Sequence, residues 1–403
     1  MKRVFFIFLV SLLSACSEVQ PDYSSIEIAK DSLIIDTHID APHKLNILNK
    51  QGQQIHDLGS ETNTEFDYPK AIQGGLDVAF MSVYLSSETQ LEGTSFQEAN
   101  QLIDLIEDVI TLNAEKFLLI KRVNDIGFLA RTKKIGLALG MENGAPIEGD
   151  LDRVQYFFDR GIRYITLTHS KSNHLSDSSY DPNHRWDGLS DFGKKVVKEM
   201  NKVGIMVDIS HVSDAAFYQA IAISDVPVIA SHSSLRYFTP GFERNVSDDM
   251  LLKLAEKGGV IQINFGSTFI LKEARDYSDR LQDFIKKQLE LKDKSQLTDQ
   301  ELKEITDKFI EQNGKLPFAN ISNVVDHIDR VVKLVGINHV GIGSDFDGVG
   351  DSLPLGLKNV SMYPNLIEAL LERGYSIIDI DKILGKNLLR VWRATEDYAN
   401  NVR

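Results

Sequence analysis

The sequence predicts an α/β fold, a (β/α)8 TIM barrel. Three observations predict it. Eight short apolar runs recur along the chain, most of them rich in β-branched residues and bounded by glycine, proline or charge. Strands buried on both faces read this way. Helical patterns lie between most of them, and strand–helix alternation repeated eight times is the sequence form of such a barrel. Most tellingly, run after run ends in a histidine or a carboxylate, at the rim where this fold carries its chemistry.

The runs, in order, are 33–40 (LIIDTHID), 76–85 (LDVAFMSVYL), 135–142 (IGLALGME), 164–169 (YITLTH), 204–211 (GIMVDISH), 227–233 (PVIASHS), 259–265 (GVIQINF) and 339–346 (HVGIGSDF). Helical stretches are expected at 95–113, 190–202, 213–223, 247–257, 321–335 and 362–373. Ser190 or Asp191, Ser213 and Ser247 are suited to cap three of them. The stretch 376–394 has apolar residues at helical spacing and is expected to close the ring. One segment breaks the alternation. Residues 271–316 are charge-dense and helix-favouring, and lie between the seventh and eighth runs. They are expected to form a helical insertion on a strand–helix loop, overhanging the active rim.

The first residues read as a leader. Lys2 and Arg3 precede a short apolar core, followed by Leu13-Ser14-Ala15-Cys16. That core is too short to span a bilayer, and suits a secretory signal. Leu-Ser-Ala-Cys at this position resembles the bacterial lipobox, in which the cysteine is acylated and becomes the mature N-terminus. The expectation is a lipoprotein signal peptide at 1–15, a lipid-attached tether at 16–30, the barrel at 31–396 and a tail at 397–403. Such a protein is exported and anchored to the cell envelope. Ser17 after the cysteine suits the outer membrane under the common sorting rule. Cys16 is the single cysteine, which excludes an intrachain disulfide, a cysteine nucleophile in the barrel and a cysteine-based metal site. The formal net charge of −14 argues against nucleic acid and against a polybasic membrane patch.

Seven side chains able to bind metal or move protons end these runs: His38, Asp40, Glu142, His169, His211, His232 and Asp345. His38 and Asp40 are two apart on a strand, so both face the barrel mouth. Imidazole and carboxylate together suit a divalent ion such as zinc. Glu142, His211 and His232 end three other runs. A carboxylate between two half-sites can bridge two ions about 3.5–4 Å apart. Three histidines and two carboxylates exceed the four ligands of a structural zinc. His43, His56, His174, His184 and His327 read as surface or supporting residues. His339, which begins the eighth run, falls at the opposite rim. No G-x-S-x-G elbow or phosphate-binding P-loop is present, and Gly341-Ile342-Gly343 lies inside a strand, unlike a dinucleotide loop.

Taken in order, IIDTHID, GMENGAPI, LTHSKSN, DISHVSD, ASHSSLR, ERNVSD and VGIGSDFDG resemble the membrane (renal) dipeptidase family, metallopeptidase family M19, over about residues 31–396. The resemblance implies a binuclear zinc dipeptidase acting through a metal-bridged hydroxide. It implies that His38, Asp40 and Glu142 hold one zinc and that Glu142, His211 and His232 hold the other. Asp345 matches the family's acid/base and His169 the histidine that contacts the tetrahedral intermediate. Arg244, which the residues alone read as a surface loop arginine, matches the arginine that binds the substrate's terminal carboxylate. Dipeptides are the implied substrates, and a homodimer the implied assembly. The first motif reads His-Ile-Asp where the family commonly has His-Asn-Asp; the middle residue faces away from the site. Two other readings stay open. One is another binuclear amidohydrolase acting on N-acyl amino acids, lactams or lactones, although such barrels usually open with H-x-H where this chain has His38-Ile39-Asp40. The other is a lipoprotein that binds metal or peptide without turnover.

Overall fold

Eight parallel strands follow one another around a ring in the computed structural model, which describes residues 23–50, 52, 57–129, 131–291 and 298–402. They are β1 (Ile34–Ile39), β2 (Leu76–Tyr84), β3 (Ile135–Glu142), β4 (Ile162–Thr166), β5 (Met206–Asp208), β6 (Ile229–Ala230), β7 (Val260–Ile263) and β8 (Val340–Ile342). Each pairs with the next. The ring comes close to closing just beyond the strand ends. There the Asp345 N–H donates to the His38 carbonyl at 3.0 Å, and the Asp40 N–H donates to the Phe346 carbonyl at 2.8 Å. The TIM-like α/β barrel expected from the runs is therefore the fold. A short additional strand, Phe117–Leu119, pairs with the first residues of β3.

The apolar residues divide between two layers, as strands buried on both faces require. Inside the ring, Ile35, Val78, Phe80, Ala138, Tyr164, Met206, Ile229 and Val260 pack on one another and on Trp392 from the last helix. Phe80 lies between Tyr164 and Trp392, with ring centroids 5.5 and 5.2 Å away. Outside, residues such as Ala79, Met81, Leu137, Leu139 and Val207 meet the surrounding helices. Ser190, Ser213 and Ser247 cap theirs, each accepting from the N–H three residues on.

Several boundaries differ from expectation. The tether expected through residue 30 already contains a helix, Ser25–Asp31. Ser24 and Glu27 form its capping box, and Ile28 and Ala29 are buried. Burial of these two apolar residues holds the segment against the body despite its polar composition. At the other end the final helix runs from Asn387 to Val402, so the expected tail is helical, with Ala399 buried. The ring-closing stretch from residue 376 is not one regular helix. It passes through a wide turn at Lys382–Lys386, where Gly385 presses against the Leu33 carbonyl. Residues 271–316 do carry two helices, Lys272–Leu291 and Asp299–Asn313. Tyr277 and Phe309 pack between them, ring centroids 5.2 Å apart. Cys16 and His56 lie outside the described residues. Among the described residues, no helix is long and apolar enough to cross a membrane.

His327, expected at the surface or as support, is fully buried. Its Nδ1 accepts the Leu235 N–H at 3.1 Å, and its Nε2 faces the Ile270 carbonyl at 3.1 Å. The first bond leaves Nε2 as the protonated nitrogen. It therefore clamps the segment after β6 to the segment after β7. His339 sits at the far rim as expected, bonded to the Gly259 carbonyl at 2.8 Å.

Burial pushes the His327 pKa down to about 4. Its ordinary value is about 6.5. Between those values the unfolded chain binds the extra proton, so stability is present above pH 6.5 and falls as pH drops toward 4. The loss should reach about 3 kcal/mol. His327→Gln should flatten this part of the pH dependence of the urea midpoint. An unchanged slope would place the acid sensitivity elsewhere.

Candidate metal centre

The strand ends bring all seven expected rim side chains to one place. Glu142 is the last residue of β3. His38 lies within β1 and Asp40 just beyond it. His169, His211, His232 and Asp345 follow β4, β5, β6 and β8 by two or three residues. Glu142 stands at the centre. Its Oε2 lies 3.4 Å from His38 Nε2, while its Oε1 lies 3.1 Å from His211 Nε2, 3.2 Å from His232 Nε2 and 3.5 Å from His169 Nε2. Asp40 Oδ2 is 3.4 Å from His38 Nε2 on the other side. The two oxygens of one carboxylate thus face two separate imidazole groups.

The charges fit a cation at this place. Burial opposes ionisation of Glu142, but His38 and His169 outweigh it, and the carboxyl is held well below the usual range. Burial keeps His211 and His232 neutral, the form that ligates metal. His38 shifts upward; burial works against its proton, but the fields of Tyr164, Glu142 and Asp40 prevail. His211 Nε2 and His232 Nε2 face each other at 2.8 Å, and one of two neutral imidazoles has to present a lone pair there or both do toward a metal. His38–Glu142–His232, Glu142–His169–His211 and His38–Asp40–Asp345 each offer three ligand atoms within 4.8 Å of one another. This donor set, of imidazoles and carboxylates, suits zinc or a similar divalent ion.

The surroundings hold these groups in place. His38 Nδ1 is bonded to the Tyr164 hydroxyl at 2.8 Å, and Gly140 leaves room for the Tyr164 ring, since a Cβ there would run into it. Asn264 Nδ2 donates to Asp345 Oδ2 at 2.6 Å. Gly348 lies so close to Asp40 and Asp345 that any side chain at that position would displace a carboxylate. His211 and Asp345 both adopt left-handed backbone, at φ 67° and 66°. That conformation costs about 1–3 kcal/mol for a non-glycine residue and gathers at functional sites.

A cavity of about 600 Å³ opens onto the centre, lined on one side by Asp40, Glu142, His169, His211 and Asp345. Tyr84, Tyr180, Phe269 and Val349 supply less polar walls, and Ser278 and Gln282 reach it from the Lys272–Leu291 helix. The insertion therefore does overhang the rim. Arg244 packs against Phe269 of this wall. It is 3% exposed, in contrast to a surface loop arginine, and its guanidinium stands 5.4 Å from the Phe269 ring. The residues missed from sequence include Tyr84 and Asn264. Both stand at the ends of runs that lack a ligand, so strand-end position was the available clue. His43 also lines the cavity and packs edge-on against Tyr84 at 4.8 Å.

Glu142→Gln keeps the shape of the side chain and removes one charged oxygen. The variant should hold less divalent metal than the parent, as read by elemental analysis after equilibration and desalting. Full occupancy would take Glu142 out of the set of metal ligands.

Comparison with known proteins identifies the family of this barrel. An uncharacterised dipeptidase of Schizosaccharomyces pombe is 32% identical over 92% of this chain and 82% of its own. Dipeptidase 3 of Mus musculus is 30% identical over 92% and 66%. Among solved structures, a probable dipeptidase, PvdM, of Pseudomonas aeruginosa superposes with a TM-score of 0.80 at 25% identity, covering 93% of this chain and 98% of the other. A metallopeptidase of Rhodobacter sphaeroides, solved with a phosphinate mimic of the dipeptide L-Ala-D-Ala, has the same fold, with a TM-score of 0.72 at 20% identity over 91% and 100%. The family model for membrane dipeptidases matches residues 24–403. With the whole barrel and its rim inside that match, the chain belongs to the membrane dipeptidase family, peptidase family M19.

Proposed function

We propose that this metallo-dipeptidase works with two zinc ions, and that it cleaves dipeptides with a free C-terminal carboxylate. The observation that carries the reading is the Glu142 carboxylate, with one oxygen toward His38 and the other toward His211 and His232. His38, Asp40 and Glu142 would hold one ion; Glu142, His211 and His232 would hold the other. Bound there, the pair supplies Lewis acidity, polarising the scissile carbonyl and lowering the pKa of the attacking water.

The chain's own groups do the rest. Arg244 binds the substrate carboxylate. It donates through Nη1 to Ser233 Oγ and through Nη2 to the His232 carbonyl, both at 2.7 Å. Three of its five N–H groups remain, and Nε has no partner. A buried guanidinium without an ion-pair partner among the described residues is costly unless an anion joins it. A dipeptide's carboxylate is such an anion, and the fork suits it. His169 sits on the cavity wall with Nδ1 unbonded. Burial, with the field of Arg244 in the same direction, lowers its pKa below the usual value. Neutral at pH 7, it donates an N–H to the oxygen that becomes negative in the transition state. Asp345 moves the proton. Burial first, and then the charge of Asp40, holds its carboxyl well above the ordinary range. A carboxyl so raised can take a proton from water and return it to the leaving amine.

The lipobox-like Leu13–Cys16 stretch supports an envelope lipoprotein, with the homodimer implied by family resemblance as its assembly. A Cys16→Ser chain should leave the membrane fraction with its dipeptidase activity intact; retention equal to the parent would end the acylation reading.

Two substitutions test the chemistry. Asp345→Asn should lower kcat by about 10²–10⁴-fold while KM and metal content stay near parental values. Near-parental kcat would remove Asp345 from proton transfer, and loss of metal would move it among the ligands. Arg244→Ala should lower kcat/KM on free dipeptides by about 10–150-fold, the worth of a charge-assisted hydrogen bond. It should leave C-terminally amidated dipeptides almost unchanged, and equal losses on both would make Arg244 a structural residue. The panel should include L-Ala-D-Ala, tripeptides, N-acyl amino acids and lactones. Fast turnover of tripeptides or N-acyl compounds in place of dipeptides would overturn the substrate assignment.

A further inference from the structure

The three histidines proposed as ligands are not held alike. His38 has the Tyr164 hydroxyl at its Nδ1. His211 Nδ1 is buried and unbonded, and its ring is placed by the left-handed backbone at φ 67°. His232 is held by a chain of side chains. Its Nδ1 lies 2.7 Å from Ser231 Oγ, which lies 2.6 Å from Asp208 Oδ2. All three residues are buried.

The direction of this chain follows from what each atom can do. The Asp208 carboxylate accepts from the Ser210 N–H at 3.0 Å, the Ser231 N–H at 2.8 Å, the Thr166 hydroxyl and the Ser231 hydroxyl. With four donors converging on it, it is an acceptor throughout. Ser231 has a single hydroxyl hydrogen, and that hydrogen is committed to Asp208. Its oxygen can then only accept from His232, so the His232 proton sits on Nδ1. The Nε2 lone pair is left facing Glu142 and His211, where a metal ion would lie.

Resting on the two-metal reading, we infer that Asp208 and Ser231 form a relay that fixes the His232 tautomer and thereby sets the affinity of the second ion. They are positioning residues, since they touch neither substrate nor metal. The same carboxylate also ties the backbone after β5 to that of β6, through Ser210 and Ser231. His232 is therefore the anchored ligand of its half-site, and His211 the strained one. Partners of this kind behind a metal-bound histidine are typically worth about 10–100-fold in metal affinity.

Ser231→Ala tests this while leaving the backbone bonds to Asp208 in place. The full-length chain, stripped of metal, would be titrated with Zn²⁺ against a competing chelator, and separately reconstituted with Co²⁺ for its visible absorption. The variant should hold one ion with parental affinity and the other about 10–100-fold more weakly. The Co²⁺ bands of the weakened site should shift, a change that looser packing alone would not produce. Asp208→Asn should weaken the same ion further, because the amide can donate to Ser231 and turn its hydroxyl toward Nδ1, placing the imidazole proton on Nε2. Equal melting temperatures of the metal-free parent and Ser231→Ala chains would confirm that folding is not the cause. Two ions held by Ser231→Ala with parental affinity and unshifted bands would overturn the relay. A parent that takes up fewer than two ions would overturn the two-metal reading instead, and that result appears without any substitution.

Discussion

A carboxylate buried among imidazoles is the constraint on which the rest of this molecule turns. Glu142 ends a strand that is buried along its whole length, and an isolated charge there would cost several kcal/mol. The ring of strands answers by delivering His38, His169, His211 and His232 from four other strand ends. The imidazoles in turn need their second nitrogens or their backbones held. That need accounts for Tyr164 lying across the barrel beneath His38, for Gly140 beside its ring, and for the hydroxyl and carboxylate behind His232. The floor of the site and the core of the barrel are consequently the same residues.

The same surroundings also hold strained backbone at the rim. Asn143, His211, Asp345 and Asp347 all have φ between 64° and 82°. Such residues persist only when their surroundings determine them. Asn143 bonds to the Leu85 carbonyl and receives Asn173. Asp347 accepts the Glu65 and Phe66 N–H groups, and burial pushes its pKa up to about 6. Asp36 makes the corresponding tie at the ring closure, accepting the His38 and Ser344 N–H groups at 3.0 Å each. The rim is thus braced by buried carboxylates, Asp36 and Asp347, that accept backbone N–H groups.

Much of this was legible in the sequence because one physical rule links strand and site. A strand buried on both faces reads as an apolar run, and a polar residue that ends it must be solvated or used. That rule located His38, Asp40, Glu142, His169, His211, His232 and Asp345 together. It passed over Tyr84 and Asn264, whose side chains end their runs without being typical ligands. It also misjudged Arg244, since burial of a loop arginine depends on what folds over it, here Phe269. The Ser25–Asp31 helix was hidden because only two of its residues, Ile28 and Ala29, are buried against the body. The wide turn at Lys382–Lys386 has no periodic signature; it exists because Gly385 lets one backbone approach another.

The plug formed by Trp392 has a bearing on how the molecule is made. The residue that fills the inner end of the barrel lies on the last helix, and β8 precedes it by only some fifty residues of chain. Until both have been synthesised, β1 and β7 remain open edges, and Phe80 and Tyr164 lack their cover. Open edges of apolar strands invite pairing with other chains. A nascent polypeptide of this design therefore exposes those edges until β8 and Trp392 have both emerged, and only then can the inner layer be covered and the ring joined.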